Sequence, residues 1–86
     1  NFKEMKKYEE YSNKNNLQYI PSYTNFITLY TGENISKDVA QKLLEQGIIV
    51  RDMTAYGQNA IRITIGRKKQ NIKVFNALDK LLVLIK

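Results

Sequence analysis

This 86-residue chain contains no cysteine and no histidine. Their absence excludes a disulfide framework and thiolate metal sites, and it removes the commonest general base and metal ligand. No apolar run approaches the roughly 20 residues of a membrane helix, and the charged N-terminal stretch NFKEMKKYEE is unlike a signal peptide. We therefore expect a soluble, cytoplasmic protein with no metal site and no membrane partner, and we expect no catalysis by this chain alone.

The composition is that of one folded domain. Hydrophobic residues make up 43% of the chain and charged residues 26%, which is too apolar for a disordered protein. A chain of this size buries only about 60 to 65% of its unfolded surface, so we expect a thin stability margin. Because the sequence starts at Asn1 inside a helical pattern, without an initiator methionine, we expect a fragment of a longer polypeptide.

Positive charge is in excess and partly clustered. Fourteen Lys and Arg against eight Asp and Glu give a formal net charge of +6. The densest run is Arg67, Lys68 and Lys69, and such runs usually form solvated surface. No zinc finger or RNA-binding aromatic signature accompanies it, so we expect no nucleic-acid partner. A small basic module that binds nucleic acid through Lys6, Lys7 and this run stays open as an alternative.

Hydrophobic spacing predicts the element order helix, strand, helix, strand, strand, helix. The first strand lies in LQYIPSYTNFITLY, and the two later strands span residues 48 to 53 and 61 to 65. Ser36 is expected to cap the second helix and Gly47 to end it. The apolar stripes of the three helices comprise Phe2, Met5, Tyr8 and Tyr11 or Ser12, then Val39, Leu43 and Leu44, then Val74, Leu78, Leu81 and Ile85.

This order predicts an α/β (α+β) fold. Helices would cover one face of a small, largely antiparallel sheet of about three strands, giving a two-layer sandwich. With no internal repeat and no linker rich in Gly or Ser, residues 1–86 are expected to form a single domain.

Two arginines interrupt the apolar stretch GIIVRDMTAYGQNAIRITIG. A hairpin symmetric about residues 56 and 57 puts the β-branched residues on one face and sets Arg51 opposite Arg62 on the other. Like charges in this position are destabilising, whereas each planar guanidinium matches a carboxylate or phosphate. An anionic ligand could therefore sit between them. Alternatively, Arg51 pairs with Asp52 or a nearby glutamate, and Arg62 lies on a solvated face.

The segment LLEQGIIVRDMTAYGQNAIRITIGRKKQNIKVFNALDKL closely resembles the C-terminal end of histidinol-phosphate aminotransferases. These enzymes belong to the fold type I aminotransferases that depend on pyridoxal phosphate. YIPSYTNFITL resembles the family's strand with the pattern PS, two residues, NF, so the resemblance covers about Leu17 to Leu82. The elements GIIVRD and IRITIG are characteristic of this branch, although enzymes acting on aromatic amino acids share parts of both.

The resemblance implies specific roles for both arginines. Arg62, in RITIG, would bind the α-carboxylate of the substrate. Arg51, in GIIVRD, would bind the phosphate of histidinol phosphate or the side-chain carboxylate of glutamate. The implied reaction of the longer enzyme is transamination between histidinol phosphate and 2-oxoglutarate in histidine biosynthesis.

The same resemblance implies what this chain leaves to the rest of the enzyme. The family's catalytic lysine and cofactor phosphate site belong to a large domain, so this chain is expected to contain no catalytic and no cofactor-binding residue. It is expected to be inactive alone, to contact the large domain of the same polypeptide, and to form part of a homodimer.

Two further functions stay open, and three local features are interpreted structurally. The chain could instead be a domain of an aromatic amino-acid or other class I/II aminotransferase, or a regulatory domain that uses the arginine pair without chemistry.

GRKKQN replaces the family's usual Gly-Thr start and predicts a weaker cap on the last helix. Asn25 is interpreted as a turn or backbone hydrogen-bonding residue, and Tyr56 as a loop residue.

Overall fold

Along the described chain, helices alternate with pairs of strands. The computed structural model describes residues 2–21, 25–32 and 35–85, with the side chains of residues 2, 84 and 85 left aside. Within these ranges, three α-helices and four strands occur, with one short 3-10 turn. In chain order they are α1 (Phe2–Lys14), β1 (Tyr19–Pro21), β2 (Phe26–Tyr30), α2 (Ser36–Glu45), β3 (Arg51–Asp52), the 3-10 turn (Thr54–Tyr56), β4 (Ala60–Thr64) and α3 (Lys68–Ile85).

The described strands form one antiparallel sheet in the order β1, β2, β4, β3. The predicted α+β fold is confirmed, with helices packed against one face of a small sheet. None of the helices in the described ranges combines the length and the apolar character needed to cross a bilayer.

Strands β2 and β4 form the centre of the sheet, and their two faces have different surroundings. Ile27 lies opposite Ile63 and Leu29 opposite Ile61, and all four side chains are buried. Because successive strand residues point to opposite faces, the intervening side chains lie on the other face. Ala60 on that face is buried, and the others are half-buried or exposed: Phe26, Thr28, Tyr30, Arg62 and Thr64. We call this second face the open face of the sheet.

The sheet has one strand more than the sequence predicted. LQYIPSYTNFITLY contains two strands, because β1 pairs antiparallel with β2, with Tyr19 opposite Leu29 and Pro21 opposite Ile27. Proline cannot donate to a strand ladder and is therefore suited to an edge strand. Pro21 ends a separate edge strand, whereas the sequence analysis interpreted it as a break within one strand.

Strands β3 and β4 pair in the register that hairpin symmetry predicted. Arg51 lies opposite Arg62, and Asp52 lies opposite Ile61. Strand β3 is much shorter than the predicted span of residues 48 to 53. One reason is that the Ile48 N–H donates to a carbonyl of α2, so the chain before β3 closes that helix instead of pairing in the sheet.

The predicted cap of α2 is wrong. Ser36 is the first helical residue, and the preceding Ile35 occupies the cap position without a side-chain hydrogen bond. The Ser36 hydroxyl is instead buried and donates to Asp52 Oδ1 at 2.9 Å. It also lies 2.8 Å from the Thr54 hydroxyl. Ser36 therefore joins α2 to the turn after β3, a role that a local capping pattern does not reveal.

The apolar stripe of α2 is narrower than predicted, while its end is as predicted. Val39 and Leu43 are fully buried, whereas Leu44 is 51% exposed. Leu44 lies about 100° around the helix from Leu43 and so points away from the sheet. Gly47 adopts a left-handed φ of 81° just after the helix, which confirms it as the terminating glycine.

The apolar stripes predicted for α1 and α3 are confirmed wherever their side chains are described. Phe2 and Ile85 fall outside those side chains. The Phe75 ring of α3 also packs on α1, with ring centroids 4.6 Å from Tyr8 and 4.8 Å from Tyr11. The stripe members that are buried or packed against the core are Met5, Tyr8, Tyr11, Ser12, Val74, Leu78 and Leu81.

The start of α3 is capped by neutral amides. The Arg67 N–H donates to Gln70 Oε1 at 2.8 Å, and the Gly66 N–H donates to Asn71 Oδ1 at 3.0 Å. Helix starts leave several N–H groups without intrahelical partners, and these side chains satisfy N–H groups at that end. GRKKQN thus provides capping hydrogen bonds that its basic residues did not predict.

Asn71 is the centre of a buried polar cluster that joins α1, α3 and the end of β4. Its Nδ2 donates to Glu4 Oε1 and to the Gly66 carbonyl, each at 2.8 Å. Its Oδ1 accepts from the Tyr8 hydroxyl and the Gly66 N–H, each at 3.0 Å. All four hydrogen-bonding positions of the amide are therefore used. Burial and the Glu4 charge raise the pKa of Tyr8, which keeps its hydroxyl a donor.

Replacing Asn71 should strongly destabilise the fold. Asn71→Ala leaves the Tyr8 hydroxyl, the Glu4 carboxylate and Gly66 without their buried partner, so we expect a loss of about 2 to 4 kcal/mol in the free energy of unfolding. Denaturant unfolding measures this loss. Asn76→Ala, an exposed position of the same helix, is the matched control and should change stability by less than about 0.5 kcal/mol. Similar values for the two variants would refute the role of Asn71.

Acidification should weaken the fold partly through Glu4. Hydrogen bonds from Asn71 and Lys7 hold the pKa of the Glu4 carboxyl below its ordinary value of 4.5. A carboxyl with a lowered folded pKa contributes stability above its unfolded pKa, and this contribution is lost as pH falls through the folded pKa. Denaturant unfolding at a series of pH values below about 5 should show a shallower decline for Glu4→Gln than for the unmodified chain. Equal declines would contradict this account.

Candidate functional site

Arg51 and Arg62 form a pair of like charges on the open face of the sheet. They are directly opposite in the antiparallel register of β3 and β4, where facing Cβ atoms are about 4.5 to 5.5 Å apart. Arg51 is exposed and Arg62 is half-buried. The structure therefore brings together the two residues that the sequence selected as a candidate anion site.

Arg62 is held by an aromatic ring on the neighbouring strand. Its guanidinium carbon lies 4.5 Å from the centroid of the Phe26 ring. Thr28 is the direct partner of Arg62, so Phe26 is its diagonal neighbour on the same face. A guanidinium over an aromatic face is attracted by the negative face of the ring. This contact keeps the Arg62 side chain along the sheet in the direction of β2.

Arg51 is held by the turn that follows its strand. Its Nη1 donates to the Tyr56 hydroxyl oxygen at 3.1 Å. Tyr56 ends the 3-10 turn and is 62% exposed. The sequence analysis interpreted Tyr56 as a loop residue and did not consider Phe26 in a site. The hairpin register placed Tyr56 in the turn near the paired arginines, whereas Phe26 is brought beside Arg62 by the pairing of β2 with β4, which the sequence did not predict.

Asp52 forms no ion pair with Arg51 within 4.0 Å in the described part of the chain, so the pairing of Arg51 with Asp52 in particular is wrong. Asp52 Oδ1 accepts hydrogen bonds from the Thr54 hydroxyl at 2.6 Å, the Thr54 N–H at 3.0 Å and the Ser36 hydroxyl at 2.9 Å. The bonds from Thr54 are the main reason that the pKa of Asp52 is lowered. Its carboxylate therefore stays charged near neutral pH and fixes the turn that carries Tyr56.

A hollow of about 480 Å³ adjoins both arginines. Its lining combines the two guanidinium groups with one aromatic ring and aliphatic side chains: Phe26, Ile49, Val50, Arg51, Arg62 and Thr64. Among the described residues, neither arginine forms an ion pair within 4.0 Å. The ion pair found among them joins Lys7 to Glu4. The hollow therefore offers two cations and an apolar wall to a small anionic molecule.

The described residues that line the hollow include no group suited to proton transfer near neutral pH. There is no carboxylate, histidine or lysine among them. Among the described residues, no cluster of three or more Asp and Glu side chains could hold a metal ion. The chemistry available is thus recognition and orientation of an anion. The basic run Arg67, Lys68 and Lys69 is exposed at the start of α3 and does not line this hollow.

Comparison with solved structures shows that the fold of this chain occurs as part of a larger protein. The chain superposes with a TM-score of 0.80 on a crystal structure described as an aminotransferase from Burkholderia pseudomallei K96243. The match covers 92% of this chain and 24% of the other, at 24% sequence identity. The fold is thus one that forms part of an aminotransferase. No protein-family model matches the chain.

Sequence comparison finds relatives that are named histidinol-phosphate aminotransferase. The chain is 63% identical over 83 residues to the histidinol-phosphate aminotransferase of Aliarcobacter butzleri (strain RM4018), and 57% identical over 83 residues to that of Campylobacter hominis. Each match covers 95% of this chain and 23% of the relative. The chain is therefore homologous to one segment of these enzymes, which confirms the resemblance, and it spans about a quarter of their length.

The repulsion between the two arginines should be measurable as a coupling energy. In a double-mutant cycle of Arg51→Gln and Arg62→Gln, removing either charge already relieves the repulsion, so the stabilising effects of the two changes should not add. We expect a repulsive coupling of about 0.2 to 1 kcal/mol at low salt.

Salt is the control for this cycle. At about 1 M ionic strength, screening acts over about 3 Å, so the coupling should shrink toward zero. Denaturant unfolding of the four proteins at both ionic strengths provides the data. A zero or attractive coupling at low salt would show that the two charges do not repel each other.

Proposed function

We propose that residues 1–86 are the C-terminal, substrate-binding domain of a longer histidinol-phosphate aminotransferase. The whole enzyme would be a cytoplasmic homodimer that transfers an amino group between histidinol phosphate and 2-oxoglutarate, a step of histidine biosynthesis. The observation that carries the proposal is the pair Arg51 and Arg62, adjacent on the open face, without an ion pair among the described residues and beside one hollow.

Each arginine would take a different anionic group. Arg62, half-buried and aligned by Phe26, suits the α-carboxylate, which is common to all amino-acid substrates. Arg51, exposed at the sheet edge, suits the group that varies: the phosphate of histidinol phosphate, or the side-chain carboxylate of glutamate and 2-oxoglutarate. Charge-assisted hydrogen bonds to such groups contribute about 1.5 to 3 kcal/mol each.

The contribution of this domain to the reaction would be orientation. Two fixed guanidinium forks restrict both the position and the rotation of a bound substrate, and well-aligned reactants gain several kcal/mol of barrier reduction, up to about 7 to 11 kcal/mol. The half-buried Val50 would give one side of the ligand an apolar contact. The domain would thus present the amine of the substrate to the reactive group from a defined direction.

Pyridoxal phosphate, the cofactor that the family implies, does not fit the described residues that line this hollow. That cofactor is bound through a lysine, and no lysine is among these residues. At the start of α3, Lys68, Lys69 and Lys73 are exposed. We therefore assign cofactor binding to the large domain of the same polypeptide, where the cofactor would supply the electron sink of transamination, and the 86-residue chain would be inactive alone.

The proposal predicts different kinetic defects for the two arginines in the full-length enzyme. Arg62→Lys loses the planar fork for the α-carboxylate, so kcat/KM should fall for every amino-acid substrate. Arg51→Ala should lower kcat/KM for histidinol phosphate by about 10- to 1,000-fold, because one or two charge-assisted hydrogen bonds are lost. Steady-state transamination assays with histidinol phosphate, glutamate and an aromatic amino acid measure these effects.

An aromatic amino acid is the internal control, because it has an α-carboxylate and no second anionic group. Arg51→Ala should therefore change its kcat/KM much less than that of histidinol phosphate. Lys80→Ala, at an exposed position of α3, controls for the loss of one positive charge. Equal losses for all substrates in both arginine variants would overturn the assignment of separate roles.

A further inference from the structure

The guanidinium groups of Arg51 and Arg62 are drawn toward different aromatic partners. Their Cβ atoms are neighbours across the antiparallel pair, about 4.5 to 5.5 Å apart. From there, Arg62 lies over Phe26, 4.5 Å from the ring centroid, whereas Arg51 donates to the Tyr56 hydroxyl at 3.1 Å. Phe26 belongs to β2 and pairs with Thr64 at the C-terminal end of β4, whereas Tyr56 lies in the turn before β4 begins. The two charged groups are therefore held apart.

We propose that Tyr56 is a specificity-determining positioning residue for Arg51, and that Phe26 has the matching role for Arg62. This inference rests on the proposed function. Tyr56 would keep the Arg51 fork directed at the second anionic group of the substrate, whether phosphate or side-chain carboxylate. Phe26 would keep the Arg62 fork on the α-carboxylate. Neither residue takes part in the chemical step.

The turn that carries Tyr56 is built to hold it in place. Asp52 accepts hydrogen bonds from the backbone and hydroxyl of Thr54. Ser36, at the buried start of α2, donates to the same carboxylate. Gly57 then closes the turn with a left-handed φ of 75°, a conformation that suits glycine. Although the Tyr56 side chain is exposed, its backbone is thus tied to both the sheet and a helix.

Holding Arg51 before the ligand arrives should improve binding. A free arginine side chain must lose rotational freedom when it binds an anion, and repulsion from Arg62 would direct it away from the site. A hydrogen bond to a neutral hydroxyl restrains the guanidinium and leaves its positive charge unpaired and available. The expected benefit is about threefold to tenfold in affinity for ligands that use Arg51.

The test uses Tyr56→Phe in the full-length enzyme, since this change removes the hydroxyl and keeps the ring. KM for histidinol phosphate and for glutamate should rise about threefold to tenfold, with kcat nearly unchanged. Inhibition by L-histidine, which has the imidazole and an α-carboxylate without a phosphate, should be unaffected. The dissociation constant of 2-oxoglutarate, measured by calorimetry, should rise in parallel with KM.

Tyr30→Phe is the matched control. Tyr30 lies on the same open face, and its hydroxyl has no hydrogen bond recorded among the described residues. The same substitution there should leave all the constants unchanged. Phe26→Leu tests the second half of the proposal, and it should weaken L-histidine and 2-oxoglutarate binding alike, because both use Arg62. Thermal unfolding of each variant separates these effects from a loss of folded enzyme.

The outcomes distinguish this inference from the function on which it rests. If Arg51→Ala impairs histidinol phosphate and Tyr56→Phe does not, the positioning role is overturned and the proposed function stands. If Tyr56→Phe weakens L-histidine as much as histidinol phosphate, the role is structural and the inference is again overturned. If Arg51→Ala itself has no effect on histidinol phosphate, the proposed function and this inference both fail.

Discussion

The site depends on the orientation of β4. Ile61 and Ile63 are buried against the helices, and the two-residue period of a strand then leaves Arg62 only the opposite face. A slip of one residue would turn the arginine into the apolar core and both isoleucines outward. Burying one aliphatic side chain is worth about 1.5 to 3 kcal/mol, which outweighs the repulsion of about 0.2 to 1 kcal/mol between the facing arginines. The core therefore fixes the charged pair.

The polar contacts of the fold fix the elements around this strand. Asn71 joins α1 and the start of α3 to Gly66, just after β4. At the other end of the hairpin, Asp52 joins the turn after β3 to Ser36 in α2. Both residues use short side chains with several hydrogen bonds, so small movements of the helices are costly. The sheet consequently presents the arginines, Phe26 and Tyr56 from a rigid framework.

Periodicity was sufficient to predict the fold class, the hairpin register and the meeting of Arg51 with Arg62. These features follow from local spacing. Once the apolar residues of a strand occupy one face of the sheet, the residues that alternate with them must lie on the opposite face. Gly47 was predictable for a similar reason, since a left-handed helix end favours glycine. The resemblance to histidinol-phosphate aminotransferases added roles that spacing alone does not give.

What the sequence analysis missed depends on contacts between distant residues. Glu4 and Asn71 are 67 positions apart, and nothing in the helical charge pattern distinguishes Glu4 from its exposed neighbours. Ser36 has the residue type of a cap, yet its hydroxyl bonds to a carboxylate of β3. Leu44 belongs to the apolar pattern of α2 and is nevertheless exposed. Pro21 interrupts the stretch LQYIPSYTNFITLY, but the sequence does not reveal that the residues just before it form a separate edge strand.

The most direct test of the account is a crystal structure of the full-length enzyme with 2-oxoglutarate bound. This ligand has two carboxylates, so it reports on both arginines at once. The account predicts the α-carboxylate on the Arg62 guanidinium and the side-chain carboxylate on Arg51, each at hydrogen-bonding distance, with Tyr56 still accepting from Arg51. A structure in which both carboxylates bind elsewhere, or in which Arg51 and Arg62 are paired with acidic residues of the protein, would contradict it.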